Sequence, residues 1–280
     1  MVHSKVVAQW QTRTCYATLY HVPVLISLST PMPNRDPRTT PEYRRLVVLA
    51  AKDDAERQKT IRVAKVVTGD PGQRLVALTF DDGPHGEKTG DLLSVLRRLR
   101  VPSTFFVVGK MALRFPELIE RIVLDGHELG NHTYNHYRLT QIPLTQVAGE
   151  LNSTRDTLTG LVGSPTRLMR PPGGEYNEAI QKIIVREGYT NMLWTDDPAD
   201  YKAGRTSEKI TELVMRDITL GGIILLHSGL PATVAAVPGI VSRLRTQGYE
   251  FVTCSELIQR GNGLLHLQNH SARISLTAAT

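Results

Sequence analysis

The sequence predicts an α/β fold in which parallel strands curl into a barrel, irregular or incomplete, behind an N-terminal extension. Three observations carry this. From Leu75 onward, short apolar and β-branched runs alternate with stretches of helical apolar spacing, the pattern of parallel strands joined by right-handed crossovers. About seven such units follow one another, too many for a small open sheet and suited to a barrel. Polar residues that break the pattern fall at the C-terminal ends of the predicted strands, the face on which a parallel barrel carries its chemistry.

The elements follow in order. In residues 1–32, Lys5 and Arg13 precede the apolar stretch 22–29, which loosely imitates a signal peptide. The stretch is short, holds Pro23 and lacks a small-x-small cleavage site, so an N-terminal strand or a start codon placed too far upstream fits equally. Residues 31–41 read as a proline-rich linker and 41–59 as a helix with Tyr43, Leu46, Leu49 and Ala50 on one side. After the Gly69-Asp70-Pro71-Gly72 break come strand 75–80 and helix 88–100, with an apolar stripe from Leu92 to Leu99. Strand 104–108 precedes a helix over 116–125, opened by Pro116 and closed by Gly126. Strand 127–130, a His- and Asn-rich loop, helix 144–161 and the short run 167–170 come next. Helix 177–187, strand 190–195, helix 206–219, strand 223–226, helix 234–246 and strand 249–253 complete the alternation, with a short helix from Ser255. The organisation is an extension over 1–71, a strand–helix domain over 72–260 and a tail over 261–280 with little pattern.

The net charge of +6 is unevenly placed. Residues 1–74 hold 12 basic and 6 acidic side chains, while residues 75–280 hold 21 of each. This balance gives no footprint for nucleic acid. Arg44, Arg45, Lys52, Arg57, Lys59, Arg62 and Lys65 can meet an anionic surface or form a solvated face, and the solvated face is the commoner outcome. No apolar run approaches the ~20 residues that span a bilayer. Cys15 and Cys254 lie far apart with no CxxC spacing, which fits a reduced, buried pair better than a long-range bridge.

The candidate site is built from strand ends. Strand 75–80 runs into Asp81 and Asp82 ahead of Gly83-Pro84; the acids serve a turn, or divide metal binding and proton acceptance between them. His132 and His136 are four apart, so on one helical turn both imidazoles face one way and, with Asp82, make a two-His, one-carboxylate metal set. Without a metal they are a capping loop. Arg170, in Arg170-Pro171-Pro172-Gly173-Gly174, either grips a carboxylate with two donors or forms a surface salt bridge. The N–H of Gly173 can face an oxyanion. Asp196, Asp197 and Asp200 follow another strand, and His227 ends Leu225-Leu226-His227, as a core histidine or a proton-transfer group. His85 and His127 are assigned no role.

Over residues 72–260 these segments resemble the polysaccharide deacetylases of the NodB-homology type, carbohydrate esterase family 4. Thr79-Phe80-Asp81-Asp82-Gly83-Pro84 is similar to the family's first motif, and Gly126-His127-Glu128-Leu129-Gly130-Asn131-His132 through His136 to its second. The resemblance implies a distorted (β/α)7 barrel that removes N- or O-acetyl groups from a glycan such as peptidoglycan or a chitin-like chain. It implies Asp81 as general base, Asp82, His132 and His136 as ligands of a divalent metal, Arg170 as the residue orienting Asp81, His227 as general acid and Asp200 as its tuner. Pro172, Gly173, Tyr201 and Leu225 would line the substrate. Zn²⁺ fits the donor set best, with Co²⁺, Ni²⁺ or Mn²⁺ able to substitute. A glycan substrate places the protein in the cell envelope or outside the cell, although no convincing signal peptide is seen.

Three positions depart from the family pattern. Gly173 stands where an aromatic residue is usual, Tyr201 replaces the usual Trp after Asp200, and Ser228 follows His227 where Asp is common. Two alternatives remain at this stage: hydrolysis of small cyclic amides on the same fold, and a glycan-binding module without turnover. The full Asp-His-His set counts against the first, and Asp81 with His227 against the second.

Overall fold

The computed structural model describes strands 14–19 and 22–27, residues 38, 40–59 and 61, and residues 63–261. Most of the 31–41 linker, the tail from 262 and the side chain of Cys15 lie outside the described residues. Strands β1 (Thr14–Leu19) and β2 (Val22–Ser27) form an antiparallel hairpin. Helix α1 (Pro41–Lys59) follows, then the two-residue strand β3 (Lys65–Val66).

All seven residues of β4 (Leu75–Asp81) are buried, as a strand covered on both faces must be. After helix α2 (Gly86–Leu99), β4 is joined in parallel by β5 (Thr104–Val107). Helices α3 (Gly109–Arg114) and α4 (Pro116–Leu124) lead to β6 (Glu128–Asn131), which lies parallel to β5. Helix α5 (Leu144–Val162), β7 (Leu168–Met169), α6 (Glu178–Arg186) and β8 (Thr190–Met192) carry the sheet round. Helix α7 (Ser207–Asp217) precedes β9 (Gly222–His227), which pairs with β4 from Val76↔Gly222 to Asp81↔His227. One parallel bridge, Asp196↔Ile224, closes the ring between the end of β8 and β9. Helix α8 (Pro231–Thr246), β10 (Glu250–Phe251) against β4, and α9 (Cys254–Arg260) end the described chain. This is a distorted (β/α)7 barrel, and the distortion lies where strands of two or three residues and a single bridge stand in for full ladders.

Local chemistry explains the element ends. Pro116 and Pro231 occupy first helical turns, where a missing N–H costs nothing. Asn177 and Thr206 accept the N–H three residues on, and Thr253 with Glu256 forms a capping box. Pro231 starts α8 three residues before the 234 expected from apolar spacing. Helix α3 was not expected, because six residues are too few to show a period. The predicted stripe of α2 is buried at Leu92, Leu93, Val95 and Leu96.

The segment before residue 72 contributes to the barrel. Val47 and Ala51 of α1 join the main core, and β3 pairs with β8. Gln58, fully enclosed, donates to Glu128 and to the carbonyl of Leu129 and accepts from Thr166. Arg44, Arg45, Lys52 and Lys59 are exposed on the other side of α1. Cys254 is a free, buried thiol. No helix among the described residues is long and apolar enough to cross a membrane.

Candidate active site

Register brings the site together first. Because Asp81 pairs with His227, the ends of the adjacent strands β4 and β9 deliver a carboxylate and an imidazole side by side at the C-terminal face. Asp82 follows in the left-handed region (φ 72), which a short polar side chain tolerates and which swings its carboxylate away from that of Asp81. Gly83 lets the two loops approach closely, since a Cβ there would come within 2.3 Å of Ser228 Oγ and displace that hydroxyl.

The His132–His136 pair meets Asp82, but not through the helical turn that its spacing suggested. Residues 132–136 form a loop with left-handed Thr133 (φ 65) and His136 (φ 64). Side chains impose this path. Asn131 Oδ1 accepts from Thr133 N at 2.8 Å, and Thr133 Oγ1 accepts from His136 N at 3.1 Å. Glu150, buried on α5, accepts from Tyr134 N (3.0 Å), Asn135 N (2.8 Å) and Asn135 Nδ2 (2.7 Å). Sequence reasoning missed Glu150, which carries no signal in the middle of a helix.

The donor atoms of Asp82, His132 and His136 lie within 4.8 Å of one another. Asp82 Oδ1 is 2.9 Å from His136 Nε2 and 3.3 Å from His132 Nε2. His132 Nδ1 donates to the carbonyl of Arg170 at 2.7 Å, which leaves its Nε2 as a lone pair facing that carboxylate. Two acceptors so placed need a cation or an extra proton between them. Two nitrogens and a carboxylate oxygen form an N/O set of the kind that holds a catalytic divalent ion with positions left open. The residues fit a metal.

Arg170 is fully buried, which rules out the surface salt bridge. Its Nε donates to Met192 O (3.0 Å), Nη2 to Leu193 O (3.1 Å), and Nη1 to both Thr79 Oγ1 and Asp81 Oδ1, each at 2.8 Å. Asp81 is therefore gripped by one donor rather than by the expected fork. The Phe106 ring lies 4.1 Å from the guanidinium carbon. Across the site, His227 Nδ1 donates to Asp200 Oδ1 at 2.6 Å. Asp200 Oδ2 accepts from His227 N (2.9 Å) and from Thr233 Oγ1 (2.6 Å), a partner that sequence reasoning missed. Burial opposes charge on His227, but the hydrogen bond and charge of Asp200, aided by Asp81 and Asp82, push its pKa up to about 9. Tyr201 sets its ring edge-on to His227 at 5.4 Å.

These groups open on a cleft of about 530 Å³. Asp81, Asp82, His132, His136 and His227 line it, as do the expected substrate-side residues Pro172, Gly173, Tyr201 and Leu225. Arg170 and Asp200 sit behind the residues they contact. Asp197 also lines the cleft, whereas Asp196 turns inward against β9, where burial pushes its pKa up to about 6 despite a hydrogen bond from Thr195. His85, Arg138 and Trp194 line the cleft as well; of these only His85, directly after the Gly-Pro turn, had a position in sequence that could have marked it.

Comparison with known proteins agrees with this geometry. Residues 68–192 match the family model for polysaccharide deacetylases. The chain is 36% identical over 192 residues to a peptidoglycan-N-acetylglucosamine deacetylase of Bacillus cereus, covering 67% of this chain and 89% of the relative. It is 33% identical over 206 residues to peptidoglycan-N-acetylmuramic acid deacetylase PdaC of Bacillus subtilis, covering 74% of this chain but only 43% of that longer protein. A crystal structure of a peptidoglycan N-acetylglucosamine deacetylase superposes with a TM-score of 0.68 at 34% identity, covering 71% of this chain and 94% of the other. The chain belongs to the polysaccharide deacetylase family.

Proposed function

We propose that the protein is a divalent-metal-dependent hydrolase that removes acetyl groups, N-acetyl in preference to O-acetyl, from peptidoglycan or chitin-like glycans. The observation that carries this is the cleft's division of labour: a carboxylate held by a buried guanidinium on one side, an imidazole held by a buried carboxylate on the other, and an Asp-His-His set between. Asp82, His132 and His136 would hold the metal, with Zn²⁺ best suited to these donors and Co²⁺, Ni²⁺ or Mn²⁺ as substitutes. Bound there, a cation polarises the acetyl carbonyl and acidifies the attacking water.

The protein's own groups complete the reaction. Asp81, oriented by Arg170, takes the proton from the water. His227, held as imidazolium by Asp200, gives a proton to the departing nitrogen. An amine leaves only when protonated, so an acid with a raised pKa favours the N-acetyl reading over the ester. Pro172, Gly173, Tyr201 and Leu225 form the walls against which the acetylated sugar lies.

Acetate release from N-acetylglucosamine oligomers and from peptidoglycan tests the proposal, using protein stripped by chelator and reloaded with Zn²⁺ or Co²⁺. Release that vanishes on stripping and returns on reloading is expected. A folded, metal-binding protein that releases no acetate from either polymer would sink it.

A further inference from the structure

The cleft contains a histidine that this reaction does not use. His85 lines the cleft together with Asp82 and His227. Its backbone N–H donates to Thr89 Oγ1 at 2.8 Å. Its ring lies against Gly229, where a Cβ would come within 2.9 Å of the imidazole, and Nδ1 is 3.3 Å from Ser228 Oγ. The ring is thus set against two residues that follow β9, and Thr89 fixes the backbone that carries it.

Ser228 decides the tautomer. Its hydroxyl lies 3.3 Å from both the main-chain carbonyl of Asp81, which can only accept, and His85 Nδ1; with its proton on the carbonyl it offers His85 a lone pair. Nδ1 must then carry the imidazole proton, which leaves Nε2 as an acceptor. Burial lowers the pKa of His85 against the pull of Asp82, consistent with a neutral ring. Among the described residues Nε2 has no protein partner. The serine is itself the departure from the family pattern noted above; an aspartate there would hold the ring as a cation, a donor on both nitrogens.

We propose that His85 is a specificity residue whose Nε2 accepts a hydrogen bond from a hydroxyl of the bound glycan, with Ser228 setting the tautomer that makes it an acceptor. Asp81 and Asp82 are engaged by Arg170 and the histidine pair, and Asp197, the third carboxylate of the cleft, accepts from Ala199 N at 2.7 Å; His85 adds a neutral acceptor for a ligand dense in hydroxyl donors. The inference rests on the glycan reading of the cleft.

Two measurements test it. The first is calorimetric binding of N-acetylglucosamine tetramer and of solubilised peptidoglycan strands to the chelator-stripped protein, which needs no turnover. His85→Ala should weaken the better ligand about tenfold, the size of one hydrogen bond lost from a bound sugar. His85→Gln, which keeps a carbonyl acceptor, should recover part of the loss, and Ser228→Ala, which unlocks the ring, should cost about threefold. The second is the ratio of kcat/KM on the glycan to that on an aryl acetate without sugar hydroxyls, in metal-loaded protein. This ratio should fall about tenfold in His85→Ala, chiefly through KM. An unchanged glycan Kd in His85→Ala, equal losses on both substrates, or wild-type protein that binds neither glycan overturns the inference. Wild-type protein that binds glycan and releases no acetate fails the deacetylase reading, while the Kd ratio still decides the role of His85.

Discussion

Asp81 and Glu128 are both buried carboxylates of one sheet, the first at the C-terminal end of β4 and the second at the N-terminal end of β6. Asp81 meets a permanent charge, the Arg170 guanidinium, and its other side opens on the cleft. Glu128 meets neutral donors: Gln58 Nε2 at 3.2 Å, Thr104 Oγ1 at 2.8 Å, Ser255 N at 3.2 Å and the Ser255 hydroxyl. Burial pushes the pKa of Glu128 up, against the hydrogen bonds from Ser255 and Thr104 and the weaker pull of the Arg57 charge. Burial alone therefore does not mark a reacting group. A buried acid can serve as a base when a fixed opposite charge orients it and a solvent path reaches it. Wrapped in hydroxyls and amides it is a knot in the fold.

The largest expected effect is at the charged end. Asp81→Asn keeps the shape and an oxygen for Arg170 but removes the base, so turnover should fall by about a thousandfold or more. Metal affinity should change little, because Asp81 is outside the Asp82–His132–His136 set. Rates near wild type would show that the charged pair is structural, and the contrast with Glu128 would collapse.

A smaller effect is expected at Asp200. With His227 raised to about 9, the alkaline limb of kcat/KM should lie near that pH. Asp200→Asn removes the largest pull that opposes burial and leaves the weaker ones of Asp81 and Asp82, so the limb should move well below 9 and the rate at pH 7.5 should fall roughly tenfold to hundredfold. Stability moves with it. A histidine whose folded pKa is raised contributes its full stability below 6.5 and loses it as pH climbs through about 9, a limb that the variant should lack. A pH profile identical in the two proteins would remove His227 from the acid role.

How much of this was legible in sequence depended on distance along the chain. Asp81, Asp82 and His227 stand out because a charged or titratable residue ending an apolar run is locally odd, and strand register then joins them. The spacing of His132 and His136 announced a pair. Their backbone was misread because Glu150, on the next helix, overrides the helical period by taking two loop N–H groups. Arg170 was visible as a residue; its burial depends on Phe106, Met192 and Leu193, which only the closed barrel brings near. Thr233 reaches Asp200 only because α8 returns over β9, and no local pattern marks it. Helix α1 was read as a helix, yet its part in the barrel waits on contacts to Glu128 and Thr166 far along the chain.

The smallest effect on catalysis, and the sharpest test of the comparison, belongs to Glu128. Its carboxylate gathers donors from α1, β5 and α9, tying the first and last helices of the barrel together on the side away from the cleft. Glu128→Ala leaves these donors buried without an acceptor, which should cost about 3 kcal/mol, or a Tm lower by roughly 6–12 °C for a domain of this size. Because its folded pKa is raised, wild-type stability should decline as pH rises above the ordinary value of 4.5, and the alanine variant should lose that slope. Assayed well below its Tm, the variant should keep kcat within about twofold, since Glu128 shares no hydrogen-bond partner with Asp81 or His227 and sites without shared partners act independently. A hundredfold fall in kcat with the fold intact would mean that the sealed knot and the open base are one mechanical unit.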